Sequence, residues 1–299
     1  MGGFQYFLFL VGKLYLGGWV VTLGAVGVLA YRRALEMPFS QLDYLCIVVL
    51  VLPPMLALGA VIWRPRRRFN RVVEACSWAR WEEVLELLPG LPSQVPVHDR
   101  LFREAQALAG LGRMPEALSV VAPLAEGKGI PEWLYWSRLS GVYRAAQDRD
   151  QALICLERSA SLAPQNPTPL IDLALGLLSR RRDTARAAEI LRRVKTHALS
   201  DLVVQFLRYA EGLLALEQGK AHEARELLEE ALAGQKKLAS ALAGKVCDHL
   251  HAYLCLAETA IGNHESARRH FNQALPRLQA LGDHDLLARC EAALGDGGE

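Results

Sequence analysis

The chain has 299 residues, with 34 basic and 32 acidic side chains and a formal net charge of +2. Only five charged residues lie in the first 63 positions, whereas 61 lie beyond them. The mean hydropathy of +0.12 therefore averages a short apolar segment and a long polar one. Because the charges of the long segment nearly cancel, the composition excludes a strongly basic nucleic-acid-binding domain.

Two apolar stretches, Phe4 to Tyr31 and Tyr44 to Trp63, begin the chain. Each is long enough for a helix to cross about 30 Å of hydrocarbon, so residues 1–63 are predicted to form a two-helix transmembrane anchor. No basic residue precedes the first stretch and no A-x-A-like site follows it, which favours an uncleaved anchor. Lys13 is expected to reach the cytoplasmic headgroups, or else is a charged functional group within the membrane. Pro53 and Pro54 predict a kink in the second span, or else a re-entrant hairpin, although the length of the stretch favours a single crossing.

Basic residues beside the spans predict their orientation. Segment 64–71 contains five arginines, against two in the loop between the spans, which places the following domain in the cytoplasm. These five are Arg64, Arg66, Arg67, Arg68 and Arg71. Two spans then put both termini in the cytoplasm, as expected of a bacterial inner-membrane protein. Lys13 and the arginines are candidates for contact with anionic lipid, or the arginines set the topology alone. Small residues between Gly17 and Gly27 give the first span a face suited to packing in a hairpin or a homo-oligomer.

From residue 72 to residue 294, apolar residues recur at spacings of three and four, which predicts helices throughout. The clearest unit runs from Trp133 to Asn166, with pattern residues Trp136, Leu139, Ser140, Tyr143, Ala152, Leu156, Ala160 and Pro164. This unit resembles the tetratricopeptide repeat (TPR). The alanine of its second helix recurs at Ala117, Ala152, Ala187, Ala224 and Ala267. A degenerate pair is expected before these units, with Val84 one step before Ala117 and its turn at Trp78 to Trp81. We therefore expect an all-α chain in which an α-solenoid of about five to six TPR-like helix pairs follows the two spans, with a disordered tail at 295–299.

The TPR resemblance implies a concave inner face, built from first helices, that binds a peptide or helix of a partner protein. Candidate groove residues are Phe102, Gln106, Arg138, Arg144, Asp172, Tyr209 and His249. They differ from the Lys and Asn residues with which chaperone-type TPR domains clamp a C-terminal carboxylate. The layout is also similar to the two-span HemY type of bacterial TPR protein, in architecture and not in motif.

Motifs for catalysis are absent from the sequence: it contains no G-x-S-x-G, P-loop, G-x-G-x-x-G or H-E-x-x-H pattern. We therefore expect no enzymatic activity and no cofactor. Cys247, His251 and Cys255 form a weak metal candidate at intervals of four. Their span of about 12 Å along a helix is too long for one ion, which favours repeat packing.

These observations predict a membrane-anchored scaffold that recruits a protein partner through its cytoplasmic groove. The alternative is a subunit of a transport or envelope complex whose transmembrane helices are the functional interface.

Overall fold

The computed structural model describes residues 68–295 except 94, 126–128 and 238–240, and before them residues 26, 28–33, 35, 40, 41, 43, 44 and 48. The chain divides into two units, Met1–Arg67 and Arg68–Glu299. In the first unit, residues 28–33 are helical and Arg32 Nε lies 2.9 Å from Asp43 Oδ1. Among the described residues, no helix combines the length and the apolar character needed to cross a membrane. Most of both predicted spans, with Lys13, Pro53 and Pro54, lies outside those residues, so the anchor stays a prediction.

The described part of the second unit is helical throughout. Its helices are α1 (68–77), α2 (Trp81–Leu87), α3 (Val97–Gly110), α4 (Met114–Val121), α5 (Glu132–Ala145), α6 (Arg149–Leu162), α7 (Pro167–Ser179), α8 (Thr184–Val194), α9 (Asp201–Glu217), α10 (Ala221–Lys237), α11 (Ala241–Ile261), α12 (His264–Leu281) and α13 (His284–Gly295). Within these ranges, six helix pairs are followed by a final helix, and the all-α solenoid expected from the sequence is confirmed. Gly295, expected in the tail, ends α13, and residues 296–299 lie outside the described part.

Each helix pair is joined by a short turn that contains a residue at positive φ, between 52° and 87°, and the α7–α8 turn contains a second one, Asp183, at 44°. The residues between 52° and 87° in these turns are Ala79, Gly112, Gln147, Arg181, Gly219 and Gly262. A left-handed residue ends one helix and lets the chain reverse into the next. The same turn therefore recurs every 33 to 43 residues, even where the residue that occupies it is not glycine.

The second-helix alanines that marked the repeats in the sequence lie inside the solenoid. Ala117, Ala152, Ala187, Ala224 and Ala267 are each at most 2% exposed. A small side chain at this position lets the paired helices approach closely. The core follows chain order, from a cluster containing Val72 and Val84, through one around Tyr135, to a large one spanning Leu156 to Cys290. Repeats that pack on their neighbours are the expected organisation of a solenoid.

Polar side chains and prolines determine several helix ends. Asp148, Asn166 and Asp183 accept hydrogen bonds from backbone N–H groups in the first turns of α6, α7 and α8, at 2.9 to 3.1 Å. These bonds satisfy donors that the helix itself leaves unpaired. Pro164 follows the end of α6 by two residues, as the repeat pattern predicted.

Candidate functional site

The first helices of successive pairs form a continuous layer, in which α3 contacts α5, α5 and α9 contact α7, and α9 contacts α11. We call this layer the inner face. Polar side chains bridge its helices: Arg138 Nη2 lies 3.5 Å from Asp99 Oδ1, and the Ser137 hydroxyl donates to Asp172 Oδ2 at 3.3 Å. Because the bridged residues are about one repeat apart, neighbouring first helices run in the same direction.

The last helices of the solenoid contact its earlier turns. Gln147, in the turn between α5 and α6, donates to the Leu281 carbonyl at 2.9 Å. Arg149 Nη2 lies 2.7 Å from Asp283 Oδ1, and its Nη1 lies 2.5 Å from Asp285 Oδ2. A cleft of about 620 Å³ lies at this junction and is lined by Gln147, Arg149, Arg180 and Asp285 among others. We call these contacts the Arg149 clasp.

A second contact joins α12 to the first helix. Arg277 donates to the Ser77 carbonyl and hydroxyl at 2.8 and 2.9 Å, and to Asp248 Oδ2 at 2.8 Å. Its guanidinium also lies 3.4 Å from the centre of the Trp78 ring. The last helix pair of the solenoid therefore contacts its first helix. Small rotations between repeats add up, and the long helices α11 and α12 carry the chain back to α1.

Three of the predicted groove residues are held by neighbouring side chains. Arg138 is paired with Asp99, and Gln106 accepts a hydrogen bond from Arg103 at 2.9 Å. His249 Nε2 lies 3.6 Å from Asp283 Oδ2. Burial alone would raise the pKa of Asp283, but His249 and Arg149 outweigh it and lower that pKa to about 2.

Phe102 does not lie on an accessible part of the inner face. Its side chain is 3% exposed and packs on Tyr135 with ring centres 5.8 Å apart. The assignment of Phe102 as a partner-contact residue is thus corrected to a core residue. The helical spacing gave the correct side of α3, but it could not show that Tyr135 covers the ring.

Arg144 on α5 lies within electrostatic range of Asp172 on α7 and of Tyr209 on α9. Arg144 is exposed and pairs with no carboxylate among the described residues. Burial raises the pKa of Asp172, and Arg144 opposes this increase. Burial also raises the pKa of Tyr209, whose ring packs 6.0 Å from that of Tyr253.

Two basic residues on the inner face, Arg103 and Lys245, were missed by the sequence reasoning. Burial, followed by the charges of Arg144 and Arg103, lowers the pKa of Lys245 to about 7. Lys245 lies one helical turn before His249, so the register that selected His249 could also have indicated Lys245. The spacing of residues within α11 does not indicate that this helix brings Lys245 towards α3 and α5.

The residues of the metal candidate do not share one site. His251 Nδ1 lies 2.8 Å from His270 Nδ1, whereas Cys255 is fully buried and interacts with the Cys290 thiol. Cys247 is only partly buried, one turn before His251. In the described part of the chain, no three potential ligands come together as a metal site.

The basic segment is described only at its end. Arg68 and Arg71 lie on α1, and Arg68 donates to the Gly90 carbonyl at 3.0 Å. Arg64, Arg66 and Arg67 lie outside the described residues. Contact of this segment with anionic lipid stays a prediction.

No protein-family model matches the chain, and no curated protein matches it significantly. Among solved structures it is similar to PilW, a widely conserved type IV pilus biogenesis factor, at 15% identity over 69% of this chain and 94% of that one, with a TM-score of 0.45. It is similar to MamA AMB-1 at 20% identity over 59% and 89%, with a TM-score of 0.34. It is also similar to a chain of the APC/C hetero-tetramer Cut9–Hcn1 at 14% identity over 87% and 56%, with a TM-score of 0.35. TM-scores below 0.5 carry no argument about family or function.

Proposed function

We propose that this chain is a scaffold that binds a protein partner on the inner face of its helical solenoid. The observation that carries this proposal is the convergence of polar side chains from α3, α5, α7, α9 and α11 on one face, where Arg144 stays exposed without a carboxylate partner among the described residues. The resemblance of Trp133 to Asn166 to a TPR unit, and the absence of catalytic motifs from the sequence, support a binding role.

The proposal includes an anchor. Residues 1–63 hold the scaffold at the bacterial inner membrane by two spans, with both termini in the cytoplasm. The arginines between Arg64 and Arg71 then lie at the headgroups, where each contributes about 1 kcal/mol to the attraction of anionic lipid. The support for this part is the apolar character of the two stretches and the excess of arginine after the second.

The test is site-specific photo-crosslinking of the full-length chain in cells. A photoreactive phenylalanine derivative replaces Tyr209 on the inner face, which leaves Arg144 in place, or, as a control, Glu229, an exposed residue on the second helix α10. We expect a discrete adduct at position 209 and none at 229, and mass spectrometry then identifies the partner. The purified partner should bind the full-length chain and lose affinity with Arg144→Glu, but not with Arg268→Glu, which reverses an exposed charge on α12.

A different result would favour the alternative function. If the partner still binds the Arg144→Glu variant and is lost when residues 1–63 are exchanged for an unrelated anchor, the transmembrane helices are the interface. The chain would then be a subunit of a membrane transport or envelope complex.

A further inference from the structure

Three basic side chains of the inner face lack a carboxylate partner among the described residues. They are Arg103 on α3, Arg144 on α5 and Lys245 on α11, and we call them the inner cationic cluster. Arg103 donates to the neutral amide of Gln106 at 2.9 Å. Arg144 is exposed and Lys245 is partly buried, so both can be reached from the inner face.

The other basic residues nearby are already neutralised. Arg277 is paired with Asp248 at 2.8 Å, and Arg138 with Asp99 at 3.5 Å. The acidic group that remains within range of Arg144 is Asp172, whose pKa is raised by burial. Two arginines and the partly protonated Lys245 therefore face one carboxylate, and this excess of positive charge favours the binding of an anionic group.

Contacts between α1, α11 and α12 bring Lys245 to the cluster. A Cβ atom on Gly244 would lie 3.6 Å from Arg277 Nη2, so the start of α11 packs beside the guanidinium that holds Ser77. Cys76, the residue before Ser77, lies beside Arg103, and both Arg103 and Lys245 act on its thiol. The cluster is thus assembled where the last turns of the solenoid reach the first.

The cluster lies beside a close contact between α3 and α5. A Cβ atom on Gly141 of α5 would lie 2.5 Å from the Gln106 amide nitrogen of α3. Arg103 donates to the amide oxygen of the same Gln106 at 2.9 Å, so its guanidinium lies beside this contact. Arg144 lies three residues after Gly141 on α5, about one helical turn away. Because carboxylate groups pair with guanidinium groups through two parallel hydrogen bonds, acidic side chains are suited to this cluster.

We propose that the inner cationic cluster binds an acidic segment of the protein partner, whose carboxylates contact Arg103 and Arg144, with Lys245 as a third basic contact. Hydrogen bonds between guanidinium and carboxylate groups are among the stronger polar contacts in proteins. This inference rests on the proposed function, since it names the chemistry of the partner that the inner face receives.

The test measures binding of a fluorescent peptide of Glu-Ser-Gly repeats to the full-length protein, with a matched Gln-Ser-Gly peptide as the control ligand. We expect the glutamate peptide to bind at least about tenfold more tightly, and its affinity to fall as salt is raised. Lys245→Met and Arg103→Gln should each weaken it about tenfold. Arg268→Gln, which removes an exposed charge outside the cluster, should change the affinity less than twofold.

A second measurement uses the wild-type chain, so it does not depend on whether a variant folds. Acetylation of the wild-type chain near pH 7, followed by mass spectrometry, should modify Lys245 because much of its amine is neutral there. The glutamate peptide should protect Lys245 and leave the exposed Lys220 unchanged, while the glutamine peptide should protect neither.

Equal binding of the two peptides, or an equal loss with Arg268→Gln, would overturn the proposal. Binding of phosphatidylglycerol vesicles or inorganic phosphate, but not of the glutamate peptide, with loss in Lys245→Met would also overturn it in favour of a phosphate ligand. If position 209 crosslinks to a partner while the glutamate peptide fails to bind, the scaffold function stands and only the acidic segment is wrong.

Discussion

Arg277 and Ser77 are 200 positions apart in the chain, yet the Arg277 guanidinium donates to both the carbonyl and the hydroxyl of Ser77. Arg277 is only 6% exposed, and Asp248 compensates its charge. In a linear solenoid each repeat contacts its neighbours alone. Here the stability of α1 also depends on α12, and the first prediction tests this dependence.

Replacement of Arg277 by Met should destabilise the protein by about 2–4 kcal/mol, because Asp248 loses its partner in a largely buried site. Urea unfolding of the purified full-length chain measures the change. Arg268→Met is the matched control, and we expect it to alter the free energy of unfolding by less than about 0.5 kcal/mol. A small effect in both variants would mean that α12 does not support α1.

The Arg149 clasp should contribute less, because its groups are partly exposed. Arg149→Met is expected to lower the free energy of unfolding by about 1 kcal/mol, whereas Arg158→Met, which loses one pair with exposed Glu132, should lower it by less than about 0.5 kcal/mol.

The Arg149 clasp should also make stability depend on pH. Asp283 has a pKa of about 2 in the folded protein, so its stabilising effect is complete above the unfolded pKa of 3.8 and is lost as pH falls towards 2. The Arg149→Met variant should lose less stability over this range, and the same acid dependence in both proteins would contradict the pairing.

Gly212 allows close packing between α9 and α10. A Cβ atom there would stand 2.7 Å from Leu228 Cγ, and Leu228 is fully buried. Gly212→Ala should therefore destabilise the protein by about 1–3 kcal/mol, despite the higher helix propensity of alanine. Gly244→Ala is the control, since its Cβ would meet Arg277 at an ordinary contact distance and should stabilise α11 by up to about 1 kcal/mol. Thermal unfolding of the two variants should shift in opposite directions.

The His251–His270 contact predicts a loss of stability in mild acid. Burial, His270 and Lys236 lower the pKa of His251 to about 4, and burial lowers the pKa of His270 as well. The unfolded chain then binds more protons than the folded one between pH 6.5 and 4. The contribution of His251 to the free energy of unfolding should be complete above pH 6.5 and should fall by about 3 kcal/mol towards pH 4. His251→Gln should flatten this part of the profile, His264→Gln should not, and an unchanged slope in His251→Gln would refute the assignment.

Local features of the fold could be predicted from the sequence because small residues and turns recur. The alanines from Ala117 to Ala267 identified every second helix from α4 to α12, and Val84 identified α2. The turn at Trp78 to Trp81 also lies where the pattern placed it. Small residues and turns determine how helices pack within one or two repeats, so their spacing is enough to predict the helix pairs.

The candidate site was predicted only in part, because it depends on angles that add up along the solenoid. The sequence selected Arg144, Asp172 and Tyr209, and the structure brings Arg144 within electrostatic range of the other two. It could not show that Tyr135 covers Phe102, that Asp99 holds Arg138, or that Lys245 reaches the cluster. Each of these contacts joins different helices, whose relative rotation is not encoded in the spacing of any one of them.

The Arg277–Ser77 contact also concerns synthesis of the chain on the ribosome. Helix α1 emerges early, but the guanidinium that holds its end is translated 200 residues later. At about 5–20 residues per second, this interval is about 10–40 s. During that time the end of α1 and the Trp78 ring lack the cation that later packs on them. A nascent chain halted before residue 277 should therefore be cut by protease near Trp78, and release of the complete chain should remove this sensitivity.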